Sequence, residues 1–292
     1  TGRLVARQAG ATGSPASRQH LAYQWDAAGN LTQRRDALQN LTESFTVDAL
    51  DRVTGSTLNG TTNLAVTYDA SGNIRSKSDV GTYAYGQPSK PHAVTSAGAE
   101  TLAYDANGNV ATRNGLAQQW ASFNLPTLLQ KSGQQSQFTY GPEHQRWRQV
   151  ATYANGTETT HYVGGLLEKV TTSSTGLTYW RHYVTTPGNA TVLVSRNSDG
   201  SVSTRYLLSD HLGSTDTLLD AAGGVASRQS HAAFGARRGS NGSATTAPDW
   251  ASIGNTTRQG FTGHEAIDNL GLVHMGGRVY DASLGRFLSA DP

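Results

Sequence analysis

The sequence predicts an all-β protein built from a short repeat, and three observations support that prediction. A seven-residue pattern, aromatic-Asp-Ala-x-Gly-Asn-apolar, occurs in three full copies. Segments with alternating apolar residues flank these copies, and turn-forming Asn-Gly and Asp-Gly pairs recur along the chain. The repeat region lacks the sustained apolar period of about 3.6 residues that indicates an amphipathic helix.

The full copies of the pattern occupy residues 25–31, 68–74 and 104–110, and weaker copies occupy residues 47–53 and 220–225. The aromatic residue alone recurs between and beyond them. These aromatic positions are Tyr68, Tyr85, Tyr104, Phe123, Tyr140, Tyr162, Tyr183 and Tyr206. These positions are spaced by roughly twenty residues. A repeat of that length indicates a stacked array in which each unit buries its apolar face against its neighbours.

Each unit has a physical interpretation as a pair of strands joined by a tight turn. Glycine supplies the positive φ angle that the turn needs, and the Asp side chain can accept backbone N–H groups across it. We therefore expect Tyr68, Tyr104 and Tyr206 to be largely buried. We also expect three glycine turns on one edge of the sheet: Gly29, Gly72 and Gly108.

Composition excludes several classes of function. The chain has 292 residues with 23 Lys plus Arg and 21 Asp plus Glu, a net charge of +2 that argues against nucleic-acid or anionic-membrane binding. Without cysteine it has no disulfide and no thiolate metal site. No segment approaches the ~20 apolar residues of a membrane span. The start at Thr1 and the stop at Pro292 lead us to expect a fragment of a larger protein.

Several polar clusters invite a catalytic or metal-binding interpretation. Asp210-His211 lies near Ser209 and Ser214, and residues 263–265 include His264, but the sequence contains no Gly-x-Ser-x-Gly elbow. We expect hydrogen-bonding roles for these groups. The repeat aspartates lack the ligand density of a calcium loop, so we expect turn capping, no metal and no cofactor. The aromatic series is expected to form a core ladder, although it resembles a sugar-stacking groove.

One long loop is predicted between Arg237 and Thr257. This segment is rich in Gly, Ser, Thr and Asn and poor in apolar residues. The basic pair Arg237-Arg238 opens the loop, and we expect both side chains to be solvated.

The repeat units resemble the YD repeats of bacterial Rhs proteins, of toxin-complex C components and of teneurins. Two further segments, residues 206–215 and residues 261–265 continuing through 277–292, resemble the start and end of the Rhs-associated core. The resemblance implies a spiral β-sheet that forms part of a hollow shell around a C-terminal toxin. It also implies an aspartyl-type self-cleavage that releases the toxin inside the shell.

The resemblance assigns roles to two residues, Arg278 and Asp291, which match the Arg and the first Asp of the family's core motif. An aspartyl mechanism needs two carboxylates, and the second would lie beyond Pro292. The chain itself is therefore expected not to be an enzyme, although a longer parent is expected to cleave itself. The alternative is that Arg278 pairs with a repeat carboxylate such as Asp281.

We therefore expect the chain to consist of a repeat region over residues 1–200 and a core region over residues 201–292. The leading hypothesis is the structural wall of a toxin-encapsulating shell. Its partners would be its own C-terminal toxin or another cargo and secretion or toxin-complex components, with no nucleic acid and no membrane span. As an exported bacterial protein, it would be secreted or at the cell surface. The alternative is an open β-array that binds carbohydrate or protein as an adhesion module.

Overall fold

The computed structural model describes residues 2–186, 190–243 and 257–291. Twenty-two strands form one sheet, and they are β1 (Ala6–Ala11), β2 (Ser14–Trp25), β3 (Leu31–Asp36), β4 (Leu41–Val47), β5 (Val53–Leu58), β6 (Thr61–Tyr68), β7 (Ile74–Lys77), β8 (Gly81–Ala84), β9 (Ser96–Ala97), β10 (Glu100–Tyr104), β11 (Val110–Arg113), β12 (Leu116–Trp120), β13 (Pro126–Lys131), β14 (Gln134–Tyr140), β15 (Arg146–Tyr153), β16 (Gly156–Val163), β17 (Leu167–Thr172), β18 (Thr178–Thr185), β19 (Thr191–Asn197), β20 (Val202–Ser209), β21 (Thr215–Leu219) and β22 (Val225–Arg228).

The rest of the chain forms two small sheets. Strands β23 (Ser230–His231) and β24 (Arg237–Arg238) pair with each other. A 3₁₀ turn (Phe261–Gly263) precedes a four-stranded sheet of β25 (Glu265–Ile267), β26 (Leu272–His274), β27 (Val279–Asp281) and β28 (Arg286–Phe287). The described ranges contain no α-helix. The all-β prediction is confirmed.

The large sheet is a meander in which each strand pairs antiparallel with the next in the sequence. Two-residue hairpins join several pairs, as predicted: Asn59 and Gly60 have φ angles of 49° and 82° between β5 and β6. The three full repeat turns follow β2, β6 and β10, so they lie on the same edge of the sheet. Their glycines have positive φ angles, as predicted, and Gly72 is at 84°. The position of the turns is therefore confirmed.

Each repeat turn is organised by its Asp side chain. In the second copy, Asp69 Oδ1 accepts the backbone N–H groups of Ser71 and Asn73, both at 2.9 Å. Its Oδ2 accepts the side-chain amide of Asn73 at 3.1 Å. The hydrogen bond from the Asn73 backbone, which favours the ionised form, lowers the pKa of Asp69. The turn-capping role predicted for the repeat aspartates is confirmed.

The repeat aromatic lies at a β-bulge immediately before each turn. The register shifts at Trp25, Tyr68, Tyr104, Trp120 and Tyr140. A bulge inserts an extra residue into one strand and increases the local twist. Because the bulge recurs at the same place in successive units, the twist accumulates in one sense and the sheet curls.

The polar hydrogen of the Tyr or Trp at each of these bulges reaches back to the preceding unit. Tyr68 Oη donates to the carbonyl of Val53 at 2.8 Å. Val53 is the first residue of β5, directly after the previous repeat turn. Trp120 Nε1 donates in the same way to Val110 at 2.8 Å, and Tyr140 Oη to Pro126 at 2.7 Å. The aromatic of one unit is thus tied to the start of the preceding unit's returning strand.

The predicted burial of the repeat tyrosines is wrong, because Tyr68, Tyr104 and Tyr206 are half-buried. The ring lies at the end of its strand, beside the turn, where its hydroxyl can reach a backbone carbonyl. Full burial belongs instead to the apolar residue that closes the pattern, such as Ile74 and Val110.

The curled sheet encloses the C-terminal part of the chain. Residues from the sheet and residues from 267–288 share one apolar core, including Leu129 and Phe138 on the sheet and Ile267, Leu284 and Leu288 from the enclosed segment. Backbone and side-chain hydrogen bonds add to this packing: Val110 N–H donates to the Leu288 carbonyl at 2.8 Å, and Tyr83 Oη donates to the Leu284 carbonyl at 2.9 Å. The space inside the curl is therefore filled by protein.

Buried ion pairs connect the enclosed segment to the sheet. Asp281 is 1% exposed and pairs with Arg113 of β11, which also bonds Ser283 Oγ at 3.1 Å. Arg258 joins Glu158 at 2.7 Å and Asp268 at 3.0 Å. Since buried charges are costly without partners, these pairs fix where the segment can sit.

The prediction that Arg237-Arg238 is solvated is wrong. Arg238 pairs with Glu43 at 2.7 Å and Arg237 with Asp268 at 3.2 Å, and all four side chains are largely buried. Burial raises the pKa of Glu43. Arg34 and Arg238 lower it by more than burial raises it, so the pKa of Glu43 ends below its usual value. Most of the predicted loop that follows, residues 244–256, lies outside the described residues.

Replacing Tyr104 with Phe tests the link between repeat units. The change removes only the hydroxyl that donates to the Val94 carbonyl at 2.9 Å, so we expect a loss of about 0.5–1.5 kcal/mol in the free energy of unfolding. The measurement is urea denaturation followed by circular dichroism. Tyr206→Phe is the control, because that hydroxyl has no hydrogen-bond partner among the described residues. Equal losses in both variants would contradict the proposed link.

Replacing Arg113 with Met tests the anchoring of the enclosed segment. The change leaves the Asp281 carboxylate, 1% exposed, without its cationic partner, so we expect a destabilisation of roughly 3–5 kcal/mol. The exposed Arg75 on the neighbouring part of the sheet is the control, and Arg75→Met is expected to change stability by less than about 0.5 kcal/mol. Thermal unfolding in which both variants match the parent would show that the pair does not hold the segment.

Candidate functional site

Arg278 is placed by a tight turn between two strands of the enclosed sheet. Met275 N–H donates to the Arg278 carbonyl at 2.8 Å, and Gly276 within the turn has a φ angle of 70°. Arg278 directly precedes β27, so its backbone is fixed by the strand pairing. Its guanidinium lies 3.7 Å from the centre of the Phe287 ring. A cation stacked on an aromatic face is held in one orientation.

The structure pairs Arg278 with Asp291 and not with Asp281. Arg278 Nη1 lies 3.3 Å from Asp291 Oδ1, whereas Asp281 is paired with Arg113. The Asp291 side chain is 78% exposed and that of Arg278 is 25% exposed. The two residues singled out by the sequence are therefore neighbours in space, at the surface of the enclosed segment. A pair this exposed contributes little to stability.

The backbone before Asp291 is held from both sides. Leu288 N–H donates to the Val279 carbonyl at 2.9 Å, while its own carbonyl accepts from Val110 at 2.8 Å. Arg286 also donates to the His92 carbonyl at 2.5 Å. These hydrogen bonds fix the backbone at Leu288, which lies three residues before Asp291.

A groove of about 300 Å³ runs beside this segment, between it and the turn that contains His92. Tyr104 and Gly108 line its sheet side, and Phe287 and Ser289 line the other. The Ser289 hydroxyl is buried and has no hydrogen-bond partner among the described residues. A donor or acceptor of a further chain segment would satisfy it.

The chemistry that this pair can perform is limited by its single acid. Aspartyl catalysis needs two carboxylates that share a proton. Among the described residues, no second acid is bonded to Asp291; its one ionic partner is Arg278. No group of three or more His, Asp or Glu in the described ranges is arranged to hold a metal ion.

The other polar clusters have structural partners. Asp210 Oδ1 accepts the N–H groups of Leu212 and Ser214, both at 2.8 Å, as a repeat Asp does. The Ser214 hydroxyl accepts from Thr262 N–H at 3.0 Å, which ties the end of the sheet to the enclosed segment. His264 bonds Thr262 Oγ1 at 2.8 Å. These contacts agree with the hydrogen-bonding roles predicted for Asp210, Ser214 and His264, whereas His211 Nδ1 is buried and has no hydrogen-bond partner among the described residues.

Two half-buried acids could have been, and were not, singled out from the sequence. Burial raises the pKa of Asp216 to about 6 and that of Glu168 to about 7. Each lies two positions before a fully buried apolar residue on its strand, Leu218 after Asp216 and Val170 after Glu168. Alternation along a strand places such pairs on the same face. That alternation is the signal that would have identified both acids as inward-facing.

No helix in the described ranges is long and apolar enough to cross a membrane. No protein-family model and no curated protein matches the chain.

Several solved structures share its fold. A crystal structure of TcdB2-TccC3-Cdc42 matches with a TM-score of 0.79 and 19% identity, covering 100% of this chain and 16% of that one. A crystal structure of TcdB2-TccC3 matches with a TM-score of 0.77 and 19% identity, covering 100% of this chain and 17% of that one. A Photorhabdus luminescens Tc holotoxin pore with an aspartate-to-alanine substitution in TccC3 matches at 0.59 and 16% identity, covering 99% and 18% of the two chains.

The chain thus spans less than a fifth of the length of these structures, and the likeness covers nearly all of its own residues. The fold that the Rhs/YD-repeat resemblance implies is confirmed: this chain has the fold of a corresponding part of the toxin-complex structures.

Proposed function

We propose that the chain forms part of the wall of a toxin-encapsulating shell and, with its C-terminal segment, closes that part of the wall from the inside. The likeness to toxin-complex structures supports the general role. The finer role rests on one observation, which is that the curled sheet is filled by residues 257–291 of its own chain. A filled curl leaves no space for a cargo within this part of the wall, so a cargo would lie beyond it.

The enclosed segment is bound to the sheet by several kinds of contact, as a stable closure of the wall requires. Apolar packing, backbone bonds and buried ion pairs all join the segment to the sheet, from Lys77 of β7, which donates to the Ser283 carbonyl, to Thr215 of β21, whose N–H donates to the Gly260 carbonyl. An interface with this many buried charge pairs accepts one docking geometry, because any other leaves charges without partners.

The proposal includes self-cleavage in a longer parent. Asp291 would be one acid of an aspartyl pair, and the second acid would be supplied by residues beyond Pro292. One carboxylate would take a proton from water as it attacks the peptide carbonyl, and the other would protonate the leaving nitrogen. Arg278 would hold Asp291 in position. The chain of 292 residues is proposed to be inactive by itself.

The proposed partners are the parent's own C-terminal toxin, or another cargo, and secretion or toxin-complex components. An exported protein, either secreted or displayed at the surface, is consistent with these partners. The alternative role in carbohydrate or protein adhesion receives less support. An adhesion groove needs exposed aromatic faces, whereas the repeat aromatics are half-buried and use their polar hydrogens on backbone carbonyls.

The test is self-cleavage by a longer parent that extends beyond Pro292 and includes the second carboxylate. We expect Asp291→Asn to abolish release of the C-terminal segment, because an amide cannot take up the proton. Arg278→Ala is expected to slow release, because the neighbouring positive charge at 3.3 Å is lost. The cleaved band on a denaturing gel, followed over time, is the readout.

Asp199→Asn, in an exposed hairpin turn, is the matched control and should cleave at the parent's rate. Wild-type cleavage by Asp291→Asn would remove this residue from the mechanism. The closing role of the segment would then stand alone.

A further inference from the structure

The curled sheet brings its first two strands against its last three. Arg7 of β1 donates to Ser209 Oγ at 2.5 Å, and Arg18 of β2 donates to the Gly223 carbonyl at 2.6 Å. In return, Arg228 of β22 donates to the Arg18 carbonyl at 3.0 Å. We refer to the line between β1–β2 and β20–β22 as the seam.

The seam differs from every other junction in the sheet because each of its hydrogen bonds uses a side chain. Within the described ranges, no backbone–backbone hydrogen bond joins β1 or β2 to β20, β21 or β22. Strand pairs elsewhere are joined by ladders of several backbone bonds. The seam is therefore the junction that can open without breaking a ladder.

One residue in the seam is a half-buried acid. Asp216 of β21 accepts from Gln19 Nε2 at 2.8 Å and from Thr217 Oγ1 at 2.7 Å. Gln19 is 4% exposed and also donates to the Ser209 carbonyl at 3.2 Å. A single amide thus bridges the two sides of the seam through Asp216 and Ser209.

The seam is also incompletely packed. A cavity of about 60 Å³ with apolar and polar lining lies next to Asp216, with Tyr23 and Asp36 on one side and His211 and Gln229 on the other. His211 Nδ1 and Gln229 Oε1 are buried and have no hydrogen-bond partner among the described residues. A cavity of this size with polar groups in its walls admits water, which is needed if the seam is to open and close reversibly.

We propose that the sheet opens along this seam and that ionisation of Asp216 loosens it. In the closed seam, Asp216 is half-buried next to two other carboxylates, Asp36 and Asp210. Loss of the proton places a charge there that burial disfavours and that these neighbours repel. Opening the seam exposes the charge to water and relieves both penalties.

The sign of the pH dependence follows from the pKa of Asp216. Burial, the largest cause, raises that pKa to about 6, and Asp36 and Asp210 raise it further, whereas Gln19 and Thr217 lower it. A folded-state pKa above the unfolded value means that the group stabilises the closed state at low pH. That contribution is lost as the pH rises through about 6.

Other titratable groups around the cavity act in the opposite direction or not in this range. Burial lowers the pKa of His211 and, more strongly, that of His231, so protonation of either histidine opposes closure at lower pH. Tyr23 stays protonated, because burial raises its pKa. Arg34 and Arg238 are paired with Glu43. The seam is therefore tightest in mildly acidic solution.

The absence of cysteine in the chain makes the test direct. Spin labels are attached to cysteines introduced at the exposed positions Ser14 and Ala222, which lie on opposite sides of the seam. The control pair, Ala103→Cys with Thr112→Cys, spans strands β10 and β11, which are joined by a backbone ladder. Distance distributions are measured by pulsed electron resonance from about pH 5 to about pH 8.

We expect the seam distance to lengthen and broaden as the pH rises through the range in which Asp216 ionises, while the control distance stays fixed. Asp216→Asn, which is neutral at every pH, should remain closed throughout. Asp51→Asn, at an exposed turn, should behave as the parent. A second variant, Gln19→Met, removes the amide that bonds both Asp216 and Ser209 across the seam, so the seam should open at lower pH than in the parent.

A seam distance that does not change with pH overturns the proposal, and so does an unchanged transition in Asp216→Asn. If Asp216→Asn does not fold, the midpoint in the parent and its shift in Gln19→Met decide the matter. Glu168 ionises in a similar range, but it bonds Tyr183 in the middle of the sheet, and only the Asp216 variant removes the seam transition.

Discussion

The sheet from β2 to β14 depends on one recurring hydrogen bond, from the strand-end Tyr or Trp of a repeat unit to a backbone carbonyl that precedes it in the sequence. A strand-end Tyr or Trp is large and amphipathic, and burying it without a partner for its polar hydrogen is costly. The bulge before each turn directs the ring toward the preceding repeat unit. The Asp-capped turn of that unit positions the carbonyl of the residue after it, which accepts the hydrogen bond. Trp120 and Val110 illustrate both halves of the arrangement. The bond fixes the offset between successive units, and that offset sets the curl.

The curl has consequences for the rest of the molecule. A sheet of 22 strands exposes a large inner face, and apolar residues on that face need a partner. The enclosed segment provides it, with Leu284 and Leu288 packed among residues from the sheet. Its buried charges add specificity more than stability, because Asp268 finds both Arg237 and Arg258 only in this position.

The sequence predicted what is local and missed what is long-range. Turn glycines, Asp caps and hairpins depend on neighbours within about five residues, and those predictions are confirmed. The half-burial of Tyr68 and the burial of Arg237 depend on residues far away in the sequence. Arg278 and Asp291 were found through the family resemblance, and 13 residues of spacing alone would not have paired them. The division at residue 200 stays a prediction, although the sheet continues without interruption to Arg228.

The central claim is that the C-terminal segment completes the core inside the curl, and hydrogen exchange at one amide tests it most directly. Val110 N–H has the Leu288 carbonyl as its acceptor, so its protection reports on the segment. We expect Val110 to exchange as slowly as Leu102, whose amide donates to Thr95 within the sheet at 3.0 Å. Exchange at Val110 as fast as at the exposed turn residue Gly60, with Leu102 still protected, would contradict the claim.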